Sequence, residues 1–222
     1  MVRDLPPSSP FAGDDGSVDA HLELALAVAA PADRLRAVVD ALSRARLLVP
    51  VVAMAGQKQA SAAMVTVATP DRRSAMPVFS GMDALRAWRP DARPIPVPGP
   101  QAALASVTEA DGLVVLDPSG PVTVPVPRPA VWALARGQQW VPPEEDEQLR
   151  AQVIDAVGVV PGVEGVGLQP GAGGATQVVL GIRAGLSREQ VAQITSAAGE
   201  ELARCDLVAE RIDAVQLRLR AC

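Results

Sequence analysis

The sequence predicts an α+β protein of two small mixed-sheet domains, each with helices packed on its sheet. Three observations carry that expectation. Short β-type runs alternate with segments whose apolar residues recur at helical spacing. The pattern lapses once, around 138–143, into glutamines, a tryptophan and paired prolines. The 222 residues are 49% apolar, enough to build two cores without disulfides or metals. The expected division is a disordered leader over 1–18, an α+β domain over 19–137, a linker over 138–143 and a second domain over 144–222.

Residues 1–18 are rich in proline, serine, glycine and aspartate and offer little to bury. Two helices follow, over about 19–29 and 32–46, separated by Pro31. In the second, Leu35, Val38, Val39 and Leu42 form one apolar stripe. The run 47–54, broken by Pro50, reads as a strand near a sheet edge. Residues 56–61 read as a loop. Residues 64–68 and 76–79 are β-type runs joined by a hairpin over 70–74. Ser80, three residues before Asp83, is the expected N-cap of a helix running to Trp88, where Pro90 and Pro94 stop it.

A strand over 95–97, a helix over 101–109 and a strand over 113–116 come next. Asp117-Pro118-Ser119-Gly120 carries the residues of a type I turn, leading to a strand over 122–126. Pro129 opens a helix that Gly137 closes. Past the linker, the acids at 144–147 suit the first turn of a helix to about Val157. Strands near 163–168 and 176–183 are joined by a Gly-rich turn. Ser187 and Gln190 form a capping box for a helix to about Cys205. In the last strand, 212–220, Val215, Leu217 and Leu219 alternate with Gln216, Arg218 and Arg220, one face dry and one wet. The second domain therefore reads α-β-β-α-β.

Composition sets several chemistries aside. A net charge of −5 argues against a nucleic-acid binder, which needs a concentrated positive surface. Lys58 is the lone lysine, and tyrosine and asparagine are missing, a bias that a GC-rich genome explains. The apolar run 22–30 is interrupted by Glu23 and preceded by Asp14, Asp15 and Asp19, so neither a signal peptide nor a membrane span is expected. Cys205 and Cys222 do not form a disulfide scaffold or a zinc site. His21, the single histidine, follows the leader and reads as a surface residue. The glycines at 162–174 lack both a dinucleotide fingerprint and a phosphate-loop lysine, so they read as a hairpin turn. No catalytic residue, metal site or cofactor is expected. Lys58 on its loop, with Trp88 and Arg89 at the end of the capped helix, are the candidate ligand- or partner-binding residues.

The order of Leu48-Val49-Pro50-Val51-Val52, Lys58, residues 64–69, the strand at 76–79 with Ser80 and the helix through Trp88, then Asp91-Ala92-Arg93-Pro94, resembles the N-terminal domain of the SseB family. Residues 113–118 and the helix at 129–137 fit as well, so the likeness spans roughly 35–137. The 144–222 unit is similar to a companion C-terminal domain. Lys58 lies farther from Met64 than the family order suggests, and Ala62 or Ala63 stands where an acid is usual. The resemblance implies a cytoplasmic bacterial α+β protein, and the lack of a nucleophile–base pair, a metal cluster or a phosphate loop leads us to expect a non-catalytic protein that binds a protein, a second copy of itself or a small ligand. The family name, for enhanced serine sensitivity, implies an alternative as an enzyme or regulator of serine or sulfur amino-acid metabolism. A shared domain label implies a third, a secretion accessory. Neither a nucleic-acid nor a membrane partner is expected.

Overall fold

The computed structural model describes residues 11, 13–53, 62–69 and 71–222. The chain begins with helices α1 (Ala20–Leu26) and α2 (Pro31–Leu42), followed by strand β1 (Arg46–Ala53). Strands β2 (Ala62–Met64), β3 (Val67–Ala68) and β4 (Ser74–Val78) precede helix α3 (Met82–Trp88). Strand β5 (Arg93–Pro98), helix α4 (Gly99–Glu109), strands β6 (Val114–Leu116) and β7 (Val124–Val126) and helix α5 (Arg128–Ala135) complete this half. The remainder is α6 (Glu147–Gly158), β8 (Val163–Pro170), β9 (Thr176–Ile182), α7 (Arg188–Arg204), α8 (Asp206–Arg211) and β10 (Val215–Ala221).

The strands form three sheets, ordered β2-β1-β5, β3-β4-β6-β7 and β10-β9-β8. The first is antiparallel; in the second, β4 and β6 run parallel, joined by α3, β5 and α4. A bridge between Leu48 and Phe79 ties the first two sheets together. One large apolar cluster gathers α1, α2, α4, α5 and one face of the β4-β6-β7 strands, with Leu22, Leu42, Met76 and Leu116 buried. A second, centred on Leu149, Val153, Leu180 and Leu202, lies between the β10-β9-β8 sheet and helices α6 to α8. Each such side chain contributes about 1.5–3 kcal/mol of hydrophobic stabilisation.

Pro50 sits in a central strand, not at the sheet edge its residue type suggested. Leu48 N–H donates to Phe79 on the β4 side, so the Pro50 nitrogen, two residues on, faces that same side. It falls in the gap between the Phe79 bridge and the β2 pairing, where no ladder bond is lost. On β5, Pro94, Pro96 and Pro98 pair with Pro50, Leu48 and Arg46. The same alternation turns their nitrogens outward, and an edge without those donors resists pairing with another chain.

Several local expectations are corrected. Ser80 does not cap α3: Gly81 holds that position without a side-chain bond, and Met82 N–H donates to Gly16 O at 2.8 Å. Residues 14–18 are therefore not a disordered leader. Arg46 holds them, pairing with Asp14 at 2.6 Å and donating to Ser17 O at 2.7 Å. The turn at 117–120 is of type II rather than type I, because Ser119 at its third position has φ +69. Of the four acids at 144–147, Asp146 is the N-cap, accepting from Leu149 N–H, and only Glu147 enters α6. The helix expected to reach about Cys205 does so as α7, and what was not expected is the short helix α8 that follows it. The face of β10 expected to be dry is only partly so: Leu217 and Leu219 are half-buried and Val215 is exposed, because β10 is an edge strand.

Other local signals hold. Ser187 and Gln190 form a full capping box, and Gly137 at φ +64 ends α5. There Gly137 N–H reaches Leu134 O and Gln138 N–H reaches Ala133 O, the double bond pattern of a Schellman motif. No helix among the described residues is long and apolar enough to cross a membrane.

Candidate functional site

The β3-β4-β6-β7 sheet buries one face in the large core. Its other face carries Ala75, Val115 and Pro125, with Val115 paired directly to Pro125 in register. These side chains floor a cleft of about 640 Å³, closed opposite by the 172–175 turn and by residues 213–216 ahead of and within β10. Its apolar floor and few polar groups match the general character of small-ligand sites.

The polar wall begins in the β3-β4 hairpin. Thr69 N–H donates to Arg73 O and Arg72 N–H to Thr69 O, and Arg72 adopts φ +66 to close the turn. Thr69 Oγ1 receives the Arg73 N–H at 3.0 Å and donates to Asp71, whose Oδ2 accepts from Arg73 Nε at 2.6 Å. The Thr69 hydroxyl first, and then Arg73, hold the Asp71 carboxyl below the usual aspartate range. Arg73 reaches across the cleft with its other nitrogens and donates to both oxygens of Asp213, at 2.7 and 3.0 Å. Asp213 foremost, and Asp71 after it, keep the guanidinium firmly charged against the opposing effect of burial. Arg128, opening α5, stands 3.9 Å from Asp213 on the far side. Ser119 and Gln216 add a hydroxyl and an amide to the lining.

Behind the Pro118-Ser119 turn lies a second polar group, at the C-terminal ends of the parallel strands β4 and β6. Asp117, 5% exposed, accepts from Ser80 N–H at 2.8 Å and from Ser80 Oγ at 2.6 Å. Burial raises its pKa, and the two bonds from Ser80 only partly offset that. Asp117 adopts φ +50, and its carbonyl receives Gly120 N–H and the Thr123 hydroxyl. The pair anchors the turn that forms one rim of the cleft.

The sequence candidates separate. Trp88 lines the cleft and packs its ring on Phe79, centroids 5.2 Å apart at 40°. Arg89 is exposed, its guanidinium 5.4 Å from the Trp88 ring and its Nε 3.8 Å from Asp91. Lys58 lies outside the described residues. The residues that build the site, Arg73 and Asp213, went unremarked in the sequence: their types are common and they are 140 positions apart. The Gly-rich stretch is a hairpin connection, as expected, with Gly173 at φ +66 and Gly174 at φ +82. His21 is an exposed residue of α1, and Cys205 and Cys222 are free thiols. Among the described residues, no three His, Cys, Asp or Glu side chains are grouped to hold a metal.

The SseB protein N-terminal domain matches residues 22–133. The chain belongs to the SseB family. The SseB match starts ahead of the span 35–137 that the motifs suggested, taking in most of α1, and it closes inside α5. It covers β3, β4, β6 and β7, so the cleft floor is SseB domain while the opposite wall, with Asp213, lies outside it. No curated protein matches this SseB chain. Among solved structures, a histidine-to-alanine variant of the MamM CTD is similar at 23% identity and a TM-score of 0.29, covering 34% of this chain and 96% of that one. An aspartate-to-asparagine variant of the MamM CTD in its nickel form is similar at 22% and 0.29, covering 35% and 99%.

Proposed function

We propose that this SseB-family chain is a non-catalytic cytoplasmic protein that binds a small ligand with an apolar body and a hydrogen-bonding end. The cleft between the β3-β4-β6-β7 sheet and residues 213–216 carries the reading. Val115, Pro125 and Trp88 offer an apolar bed, and the Ser119 hydroxyl and Gln216 amide offer polar contacts at its margin. Asp71, Arg73 and Asp213 satisfy one another, an arrangement suited to holding a shape rather than to moving protons.

Thermal-shift screening of small amphiphilic metabolites tests the reading. A ligand present at a hundred times its dissociation constant stabilises by about 2.7 kcal/mol. Gln216→Trp, which places an indole in the cleft from the exposed edge strand β10, is expected to abolish the shift while leaving the fold intact. A library without a single stabilising compound, or a shift untouched by Gln216→Trp, overturns the proposal.

A further inference from the structure

On the other side of Asp213 lies a second groove of about 560 Å³ that shares no lining residue with the cleft. Arg128, Trp132 and Arg136 project into it at four-residue intervals along α5, so one helix face supplies all three. Val141 and Arg211 line it from the segment after α5 and from α8.

The charges of this groove are unequally committed. Arg211 is neutralised by Asp146, 2.5 Å from its Nη1, and also reaches Gln148. Among the described residues, Arg128 has only the 3.9 Å approach to Asp213, whose two oxygens are already taken by Arg73. Among the described residues Arg136 makes no ion pair or side-chain hydrogen bond, and its guanidinium lies 5.0 Å over the Trp132 ring. Among the described residues, Glu210 is the one acid of the lining not bonded to an arginine. Trp132 is 38% exposed and Val141 48%, an uncovered apolar surface beside those cations.

A stacked arginine presents a planar fork that suits a carboxylate or a phosphate, while an exposed indole face receives another flat ring. We propose that this groove binds a small anion carrying a flat aromatic ring, its anionic group on Arg136 and Arg128 and its ring against Trp132. The unpaired Arg136 and the loosely paired Arg128 match a single anionic group; a polyanion would need a longer positive track, which a chain of net charge −5 does not provide here. A nucleoside monophosphate and an aromatic carboxylate both fit that description.

Indole N–H resonances of the ¹⁵N-labelled full chain report on the groove, with Trp132 assigned through Trp132→Phe. Adenosine monophosphate and 2-naphthoate are titrated separately, with uncharged adenosine as control. The Trp132 resonance is expected to move with at least one anionic probe, and the probe that moves it identifies the phosphate or the carboxylate source. Arg136→Gln, at an exposed helix end, should weaken that binding about tenfold or more while the other resonances stay in place. No movement with either probe at millimolar concentration overturns the proposal, as does movement that adenosine reproduces or that Arg136→Gln leaves unchanged.

Discussion

Arg73 Nη1 and Nη2 donate to the two carboxylate oxygens of Asp213, joining a hairpin of the SseB domain to a residue two positions ahead of the last strand. The two ends of this contact are unequally buried, with 34% of the arginine side chain exposed and 7% of the aspartate.

That asymmetry sets the order of two single variants. Arg73→Ala leaves a nearly buried carboxylate with only Arg128 nearby, whereas Asp213→Ala leaves an arginine that still has Asp71 and water. Arg73→Ala is expected to cost about 1–3 kcal/mol and Asp213→Ala less, because an unpaired buried charge is the larger penalty. Urea unfolding of both and of the double variant checks this, and a double variant more destabilised than the two singles summed contradicts it.

Asp117 should make stability fall as pH rises. Its folded pKa lies above the ordinary value, so its contribution is full below about pH 3.9 and is lost as pH climbs through the raised folded value. Asp117→Asn keeps an acceptor for Ser80 N–H without the charge. Wild type measured against this variant should thus be relatively strongest in acid and weaker toward neutrality, read as a drift in the difference of urea midpoints. Asp117→Ala, which strands a buried Ser80 N–H, is expected to cost about 1–3 kcal/mol.

Asp146 should behave in the opposite sense. Burial pushes its carboxyl up, but the Leu149 N–H and Arg211 together outweigh burial and hold it below the usual range. Its contribution is present above about pH 3.9 and lost as pH falls through the depressed folded value. Asp146→Asn retains a capping oxygen but removes the charge facing Arg211, so the difference from wild type should shrink in acid. Asp146→Ala loses the cap as well, at about 1 kcal/mol. Thermal unfolding across the acid range separates the two variants.

Gly99 has the tightest surroundings of the described glycines. A Cβ there would stand 1.9 Å from Leu42 O, at the meeting of α2's end with α4's start. Backbone must shift to admit it, so Gly99→Ala should destabilise by about 1–3 kcal/mol or more despite alanine's better helix propensity. A variant as stable as wild type in urea would show that the two helices can part without loss.

Signals confined to a few neighbouring residues were legible: the Ser187 and Gln190 box, the Gly137 helix end, the apolar stripe of α2 and the hairpins. Ser80 shows where that legibility stops. Its type and spacing to Asp83 suit a cap, but the hydroxyl goes to Asp117, 37 positions away, and Gly16 O takes over at the helix end. The cleft was illegible for the same reason. Trp88 could be singled out as an aromatic closing a helix, whereas Arg73 and Asp213 have nothing local to mark them.

The amino-acid order alone determined the α+β class, the SseB resemblance and most element positions, because periodicity, caps and turn chemistry act over one or two turns of chain. Tertiary structure alone decided which charges meet and where the cleft opens. Such contacts depend on how separately folded strands and helices are packed, and residues 140 apart carry no mutual signal until packing places them side by side.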